Sequence, residues 1–509
     1  MRRTTSNPSG GAPRNALSER PHRAGRRQRT AAIAAVLLAS SFGVRPTFAA
    51  QERNDPFMIV PADAVVAVAL NPSRVEVDAA TAPQDVAVQT ILQIARQVGV
   101  MLDADGSVRL WTDVAAGLFQ LVRYPLATAV LDVRVIERAD GGHELDRIQS
   151  VLVVDTGGRH QPVENLIRHL LATYTNQDRT TLRTLEGDAW AAGGVGYELR
   201  DDRLPGWAVL TWGAVGTRYV IALGEGAIEH LLVCAADPGK TLNRATWVTE
   251  AERACRRTGT EFRLYADLDR LADGQPAGFR ARLRTWLNLL DVPAARRALI
   301  TISREGRAVE SSAFIHEGNA DRLVRIADHA FLKPWGYDLI PSEATAFAAA
   351  DVNFKRLPWN CWEAYVASRG PTAAAALRDA LTGIEKSSGV SFRGDVLSRI
   401  GDQIVIHDFP VHALQLPVAR TIYIPIEKDP EIVAEKLDRF MQALAAATGK
   451  PDDPSPLRRE PDGLWYWHFG LQGPAMKVCG NWIILSYSPF AVRENERHMT
   501  HRENERRSP

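Results

Sequence analysis

Apolar and polar positions along the chain fall into short blocks with two different periods. Val88, Ile91, Leu92, Ala95 and Val98 recur at helical spacing and stop at Gly99, which predicts a helix. A second helix is predicted from Thr112 to Leu121. Leu131, Val133 and Val135 then alternate with Asp132 and Arg134, the period of a half-buried strand. Asp140-Gly141-Gly142 turns the chain into a second strand ending Val151-Leu152-Val153-Val154. Pro162 suits the first turn of a helix that places Val163, Ile167 and Leu170 on one face. Strands are expected around Trp190, from Trp207 to Thr211 and from Arg218 to Leu223.

From about residue 255 to 335 the pattern reads as a strand (Phe262 to Leu268), a helix and a hairpin. The helix puts Phe279, Leu283, Trp286, Leu287 and Leu290 on one side. In the hairpin, Leu299 to Ser303 and Val309 to Ile315 flank Arg304-Glu305-Gly306-Arg307. A helical connector is expected from Asp321 to Phe331. Further on, Asp429-Pro430 opens a helix capped by Asp429, with Val433, Leu437, Phe440, Met441 and Leu444 buried.

One block occurs twice. Ile59-Val60-Pro61-Ala62-Asp63-Ala64 precedes the apolar run Val65 to Leu70, and Leu339-Ile340-Pro341-Ser342-Glu343-Ala344 precedes Thr345 to Ala350. The two match in kind at a constant offset of 280, the signature of an internal duplication. Asp113-Val114 aligns with Asp395-Val396, Trp190 with Trp465, and Gly216 to Ile221 with Gly480 to Leu485. The order of these matches is kept while the offset drifts, as loop insertions and deletions produce. The expected fold is therefore α+β, with mostly antiparallel sheets and packed helices in an internally duplicated module. Residues 51–250 form the first copy, 251–335 an unpaired strand-helix-hairpin module, and 336–492 the second copy. Residues 493–509, where the word Arg-Glu-Asn-Glu-Arg occurs twice, read as a charged flexible tail, frayed or a solvated helix.

The first fifty residues change the picture. They hold nine arginines against one acid, Glu19, then the 14-residue apolar run Ala31 to Val44, then Thr47-Phe48-Ala49-Ala50. This reads as a secretory signal peptide over residues 1–50. The run is shorter than the ~20 residues of a spanning helix, although an uncleaved anchor is the competing reading. Without this segment the chain carries 52 basic and 59 acidic residues, a net charge of about −7. An acidic exported chain with no basic stripe excludes nucleic acid as partner. Four cysteines, Cys234, Cys255, Cys361 and Cys479, permit two disulfides in an oxidising compartment, in any of three pairings, or stand as buried thiols. None of them has C-x-x-C spacing.

Few residues suggest chemistry. Val153-Val154-Asp155-Thr156-Gly157 spells the aspartic-protease word after an apolar strand. That chemistry needs two carboxylates sharing a proton, and the equivalent stretch of the second copy, Ile424 to Asp429, has no Asp-Thr-Gly. Asp155 is therefore expected in a polar turn. Trp465-Tyr466-Trp467-His468-Phe469, with Trp359 and Trp362, suggests a stacking surface for a sugar or apolar ligand, against packing in the core. Gly224-Glu225-Gly226 and Gly193-Gly194-Val195-Gly196 lack the setting of a nucleotide loop. His143-Glu144, His316 and His468 have no second metal ligand at the usual spacing. No catalytic, cofactor or metal residue is assigned, and no cofactor is expected.

The Ile-Pro-Ala-Asp-type strand opening of residues 59–70, its repeat at 339–350, and the helix-to-strand passage Val390 to Ile406 with Gly401-Asp402 resemble a loose group of exported bacterial proteins of unknown function. The resemblance implies an exported α+β protein and no particular activity. The function expected is that of an exported, non-enzymatic protein, a scaffold or interaction partner in the envelope or periplasm, bound to a protein or envelope component. The alternatives are a carrier or sensor of an apolar or sugar ligand, and a hydrolase assembled from distant residues with Asp155 as its candidate.

Overall fold

The protein is seen in a computed structural model that describes residues 56–71, 121, 124–137, 143–174, 180–187, 190, 195–255, 260–289, 292–354, 356–368, 371–408, 420–449, 455–468 and 473–507. Among the described residues the strands are joined edge to edge in a sheet of eighteen, antiparallel except for a single parallel bridge, with helices packed on it. This is an α+β fold. The predicted helices at 88–98 and 112–121, except for Leu121, lie outside the described residues, as do the Asp140-Gly141-Gly142 turn, the Asp113-Val114 anchor and the candidate signal peptide.

The opening strand β1 (Val66–Leu70) pairs on one side with β2 (Leu126–Glu137) and on the other with β8 (Thr260–Asp267), five residues each. Ala67 and Ala69 are buried and Val66, Val68 and Leu70 half-buried, so one face of this apolar run is covered more fully than the other. Next to β2 stands β3 (His143–Asp155), and β3 then pairs with β7 (Arg218–Leu223) rather than with the strand that follows it. The intervening chain forms helix α1 (Gln161–Tyr174) and the strands β4 (Thr180–Leu185), β5 (Gly196–Asp201) and β6 (Leu210–Val215), which add outward from β7 in the order β6, β5, β4. Helix α1 covers one face, where Val163 and Ile167 meet Val154, Trp212 and Tyr219. Helix α2 (Ala227–Ala236) covers the other, where Ile228 and Leu231 meet Val153, Val220 and Ala222.

After α3 (Thr246–Cys255), the middle of the chain supplies β8, the short α4 (Leu268–Ala272), α5 (Ala277–Leu289), and the strands β9 (Ala295–Glu305), β10 (Ala308–Glu317) and β11 (Ala320–Ala327). The hairpin predicted at Arg304 to Arg307 forms, with Gly306 at a φ of 60°. The helical connector predicted from Asp321 does not; its first part is β11, followed by a single 3-10 turn at His329–Phe331. Leu323, Val324, Ile326 and Ala327 fit a helical stripe as well as a strand, and the open edge of β10 decides for the strand.

The second part begins with α6 (Pro334–Tyr337) and β12 (Ala346–Asp351). Only single-residue bridges, Ala308 to Phe347 and Ala327 to Ala350, join β12 to β10 and β11, whereas six residues pair it with β13 (Gln403–Asp408). Helices α7 (Leu357–Ser368) and α8 (Pro371–Ser388) lie between β12 and β13 in sequence. Next to β13 stands β14 (Arg420–Pro425), which pairs with β18 (Trp482–Ser486). The chain between them forms α9 (Pro430–Thr448) and β15 (Leu457–Arg459), β16 (Trp465–Trp467) and β17 (Ala475–Cys479), which add outward from β18 in reverse order. Val433, Leu437, Phe440 and Met441 of α9 cover one face, as the spacing predicts. Asp429 sits at the start of α9 with a φ of 48°, but its carboxylate pairs with Arg399 instead of capping the helix.

The C-terminal stretch differs from the expected flexible tail. Residues Pro489–Arg507 form helix α10, which lies on the face of the sheet opposite α9. Ala491, Val492 and Asn495 are buried, while Lys477 binds Glu496 and Arg493 binds Glu460. A stripe this narrow in a highly charged sequence is enough to dock a helix whose other faces remain in water. No helix among the described residues is long and apolar enough to cross a membrane.

Candidate functional site

Asp155 closes β3, and Gly157 and Gly158 follow it with φ of 60° and 86°. Asp155 Oδ1 accepts the amide N–H of Gly157 at 3.0 Å, a side-chain-closed turn of the kind expected. Thr156 Oγ1 donates to the carbonyl of Thr217 at 3.0 Å and lies 2.8 Å from His160 Nδ1. A hydroxyl beside an imidazole is the first half of a nucleophile–base pair. Here the hydroxyl is buried and its proton is already given to a carbonyl, so the pair ties down the turn. Across the β3–β7 rung Asp155 faces Arg218; the corresponding rung of β14 and β18 holds Pro425 and Trp482. No second carboxylate stands in that place.

The aromatic word at 465–469 is divided by the sheet. Trp465 and Trp467 join the core beneath α9, whereas Tyr466 packs on the α10 side and meets His468 edge-on at 6.2 Å. Trp359 lies under the Arg393 guanidinium, and Trp362 lies 6.3 Å from Tyr365 within α7. Beside Trp465 lies a groove of about 280 Å³, lined by Leu437, Asp438, Arg459, Gly463, Met476 and Val478 among others. Asp438 Oδ1 accepts from Arg459 Nε at 2.6 Å and from Trp465 Nε1 at 3.0 Å. The indole is buried, so its faces serve packing and only its N–H reaches the groove edge. The groove is smaller than most pockets that enclose a small molecule.

The anchor pairing of Trp190 with Trp465 needs correction. Trp465 is inside β16 opposite Met476, and the matching place in the first part, opposite Trp212, belongs to Tyr197. Trp190 lies in a bend before β5, not in a strand, and its indole fills the space over Gly196 and Gly213. The strand expected at Trp207 to Thr211 starts instead at Leu210.

On the α10 side, sequence patterning missed a buried polar cluster. Tyr423 donates to Asn495 Oδ1 at 2.8 Å, and Asn495 Nδ2 donates to Thr421 Oγ1 at 2.9 Å and to the Ala491 carbonyl at 2.7 Å. His407 lies against Tyr423, with ring centroids 5.5 Å apart, and is only 1% exposed. Burial pushes its pKa down to about 4, against a smaller upward pull from Asp408. Burial also raises the Tyr423 hydroxyl far above its ordinary range. Nearby, burial opposes the charge of Lys477, but Glu496 and Asp462 outweigh it and hold the ammonium above its usual pKa. The signal was present in Gln403-Ile404-Val405-Ile406-His407, where alternation puts His407 on the face of Val405.

All four cysteines are free, so the permitted bridges do not form. Cys234 and Cys255 are buried thiols whose pKa burial pushes up to about 11, and burial pushes Cys479 up to about 12. Thiols held protonated in this way are poor nucleophiles. His316 Nδ1 lies 2.8 Å from Asp321 Oδ1, which also accepts from Trp247 Nε1 at 3.0 Å.

No family model matches the chain, and no curated protein matches it significantly. Among solved structures, crystal form III of TP0453 is similar with a TM-score of 0.25 and 12% identity, over 53% of this chain and 82% of that one. Crystal form I of TP0453 gives a TM-score of 0.24 and 11% identity over the same shares. Likeness at this level supports no conclusion about the function of this chain.

Proposed function

We propose that the protein is exported and works without catalysis, as a scaffold or interaction partner of a protein or other component in the envelope or periplasm. The observation that carries the interaction reading is a pair of aromatic side chains, Tyr487 and Phe490, 52% and 59% exposed and three residues apart where β18 passes into α10. Large aromatics left in water on a charged surface are the residue type that anchors protein interfaces. Export rests on the arginine-rich and apolar segments before Gln51.

A photo-crosslinking amino acid placed at Phe490 in the full chain, expressed with its own first fifty residues, tests both parts. The expected result is a mature N-terminus near Ala50 or Gln51 and a discrete crosslinked product at 490 that is lost with Tyr487→Ser. The same probe at Leu204, 54% exposed elsewhere, should give none. Equal crosslinking from 204 and 490, or recovery of the intact chain in the cytoplasm, would overturn the proposal.

We also infer that residues 56–235 and 336–492 descend from one duplicated module, extended in the second case through α10. The support is the strand order: β1-β2-β3-β7-β6-β5-β4 in one part and β12-β13-β14-β18-β17-β16-β15 in the other. Each has a helix between its third and fourth strands and another after its last. The faces agree as well. Val154 and Ile424 turn toward α1 and α9, and Val153 and Tyr423 toward α2 and α10. Even the helix residues keep step at an offset of 264: Ala227, Ile228 and Leu231 correspond to Ala491, Val492 and Asn495, all buried.

A further inference from the structure

We propose that Glu305, Glu310 and His329 form a binding site for a first-row divalent cation. The site lies in the middle part of the chain and is independent of the interaction surface at α10. Its frame is the β9–β10 hairpin. The register sets Glu310 opposite Ser303 and Glu305 opposite Ala308. Alternate residues of a strand share a face, so the two glutamates rise on the same side of the sheet, two rungs apart. The third residue comes from the next connection. Asp328, at the end of β11, caps the single turn that carries His329 by accepting the Ala330 N–H at 2.9 Å, and its other oxygen holds Arg325 at 2.9 Å. The imidazole is thereby delivered onto the hairpin, where Nδ1 touches Glu310 Oε1.

One ligand atom from each of the three residues lies within 4.8 Å of the others. Around an ion with bonds of about 2.0–2.2 Å, donor atoms stand no more than ~4.4 Å apart, and usually nearer 3 Å. The cluster is within a few tenths of an ångström of that limit, and Glu305 is exposed, so its side chain is free to close the difference. Glu310 is 3% exposed. Two carboxylates and an imidazole gathered this closely around a buried position offer a cation three donor atoms of the kind it takes.

One imidazole and two carboxylates make a nitrogen–oxygen set that suits Zn²⁺ and Mn²⁺ rather than a soft thiolate-seeking ion. Three protein ligands also leave a coordination position for water or a partner's side chain. The residues come from the end of one strand, the body of the next and the turn after a third, which is why no local spacing in the sequence marks them.

The test is calorimetric titration of the full chain, freed of metal with a chelator, using Zn²⁺ alone and then Mn²⁺ alone. The expected result is one site per chain with Zn²⁺ tighter than Mn²⁺, following the general affinity order. Glu305→Gln, at an exposed position, should weaken Zn²⁺ about tenfold, and His329→Ala should remove the site. Glu310→Gln should do the same, and circular dichroism of each variant shows whether it has folded. Failure of the wild-type chain to bind Zn²⁺ below about 100 μM would overturn the proposal. So would equal affinity in wild type, Glu305→Gln and His329→Ala, because the ion would then be held elsewhere.

Discussion

Acidifying the protein from pH 7.5 to pH 4 will cost it about 3 kcal/mol through one side chain, His407. Folded, its pKa is about 4, against an ordinary value of 6.5. The sign depends on which state takes up the proton. Below 6.5 the unfolded chain binds a proton at this histidine and the folded chain does not, so stability falls as the pH drops from 6.5 toward 4 and is complete above that window. A difference of about 2.5 units at ~1.4 kcal/mol each gives the magnitude, and the side chain is too deeply buried for solvent to screen it. The charged and titratable groups that face it are Asp408 on its own strand and His498 on α10, with the polar Asn495 beside them. Urea unfolding of wild type and His407→Gln at both pH values isolates the effect, since all other titrating groups are common to both. The gap between the two proteins should close by about 3 kcal/mol toward pH 4. A gap independent of pH would sink the assignment.

The second large effect concerns the two buried tryptophans. Trp190→Ala should destabilise the protein by ~3–5 kcal/mol, the usual cost of emptying a large aromatic site. The site cannot close easily. A Cβ on Gly196 would fall 2.2 Å from the indole and one on Gly213 would fall 2.7 Å from it, so the ring is fitted to two bare backbones. Trp465→Ala should cost a similar amount, and it also deprives Asp438 Oδ1 of one of its two donors. Urea midpoints for both variants check this. A loss below about 1 kcal/mol at either position would mean that the ring is not part of a packed core.

These sites show how far the sequence could be read. Alternation in 131–135 and the apolar end of the second strand located β2 and β3, and the glycine turn located the hairpin of β9 and β10, because each of these signals is local. At β11 the same residues fit either period, and the free edge of a neighbouring strand decided the outcome. Asn495 was hidden by its charged surroundings: one polar residue on a three-residue stripe looks like surface until a sheet is placed beneath it. Its counterpart in the other half is Leu231 and that of His407 is Ala129, so the polar cluster under α10 has no equivalent under α2. Glu305, Glu310 and His329 were equally illegible, since only the register of the hairpin brings them together. The pairing of Trp190 with Trp465 failed for the opposite reason. A matched tryptophan after a similar turn is a strong visual signal, yet strand register gives the place to Tyr197.

Both halves share one non-sequential pairing, β3 beside β7 and β14 beside β18, and their common architecture rests on it. Cysteine pairs test it directly in a chain whose four native cysteines have been replaced. Val151→Cys with Ala222→Cys, and separately Ile422→Cys with Leu485→Cys, should each close to a disulfide under mild oxidation, since both pairs are directly opposed in the sheet. Ile422→Cys with Leu457→Cys, which join β14 to the strand that comes after it in sequence, should stay open. Closure of the first pair while the 422–485 pair stays reduced, or closure of 422 with 457, would contradict a common architecture for the two halves.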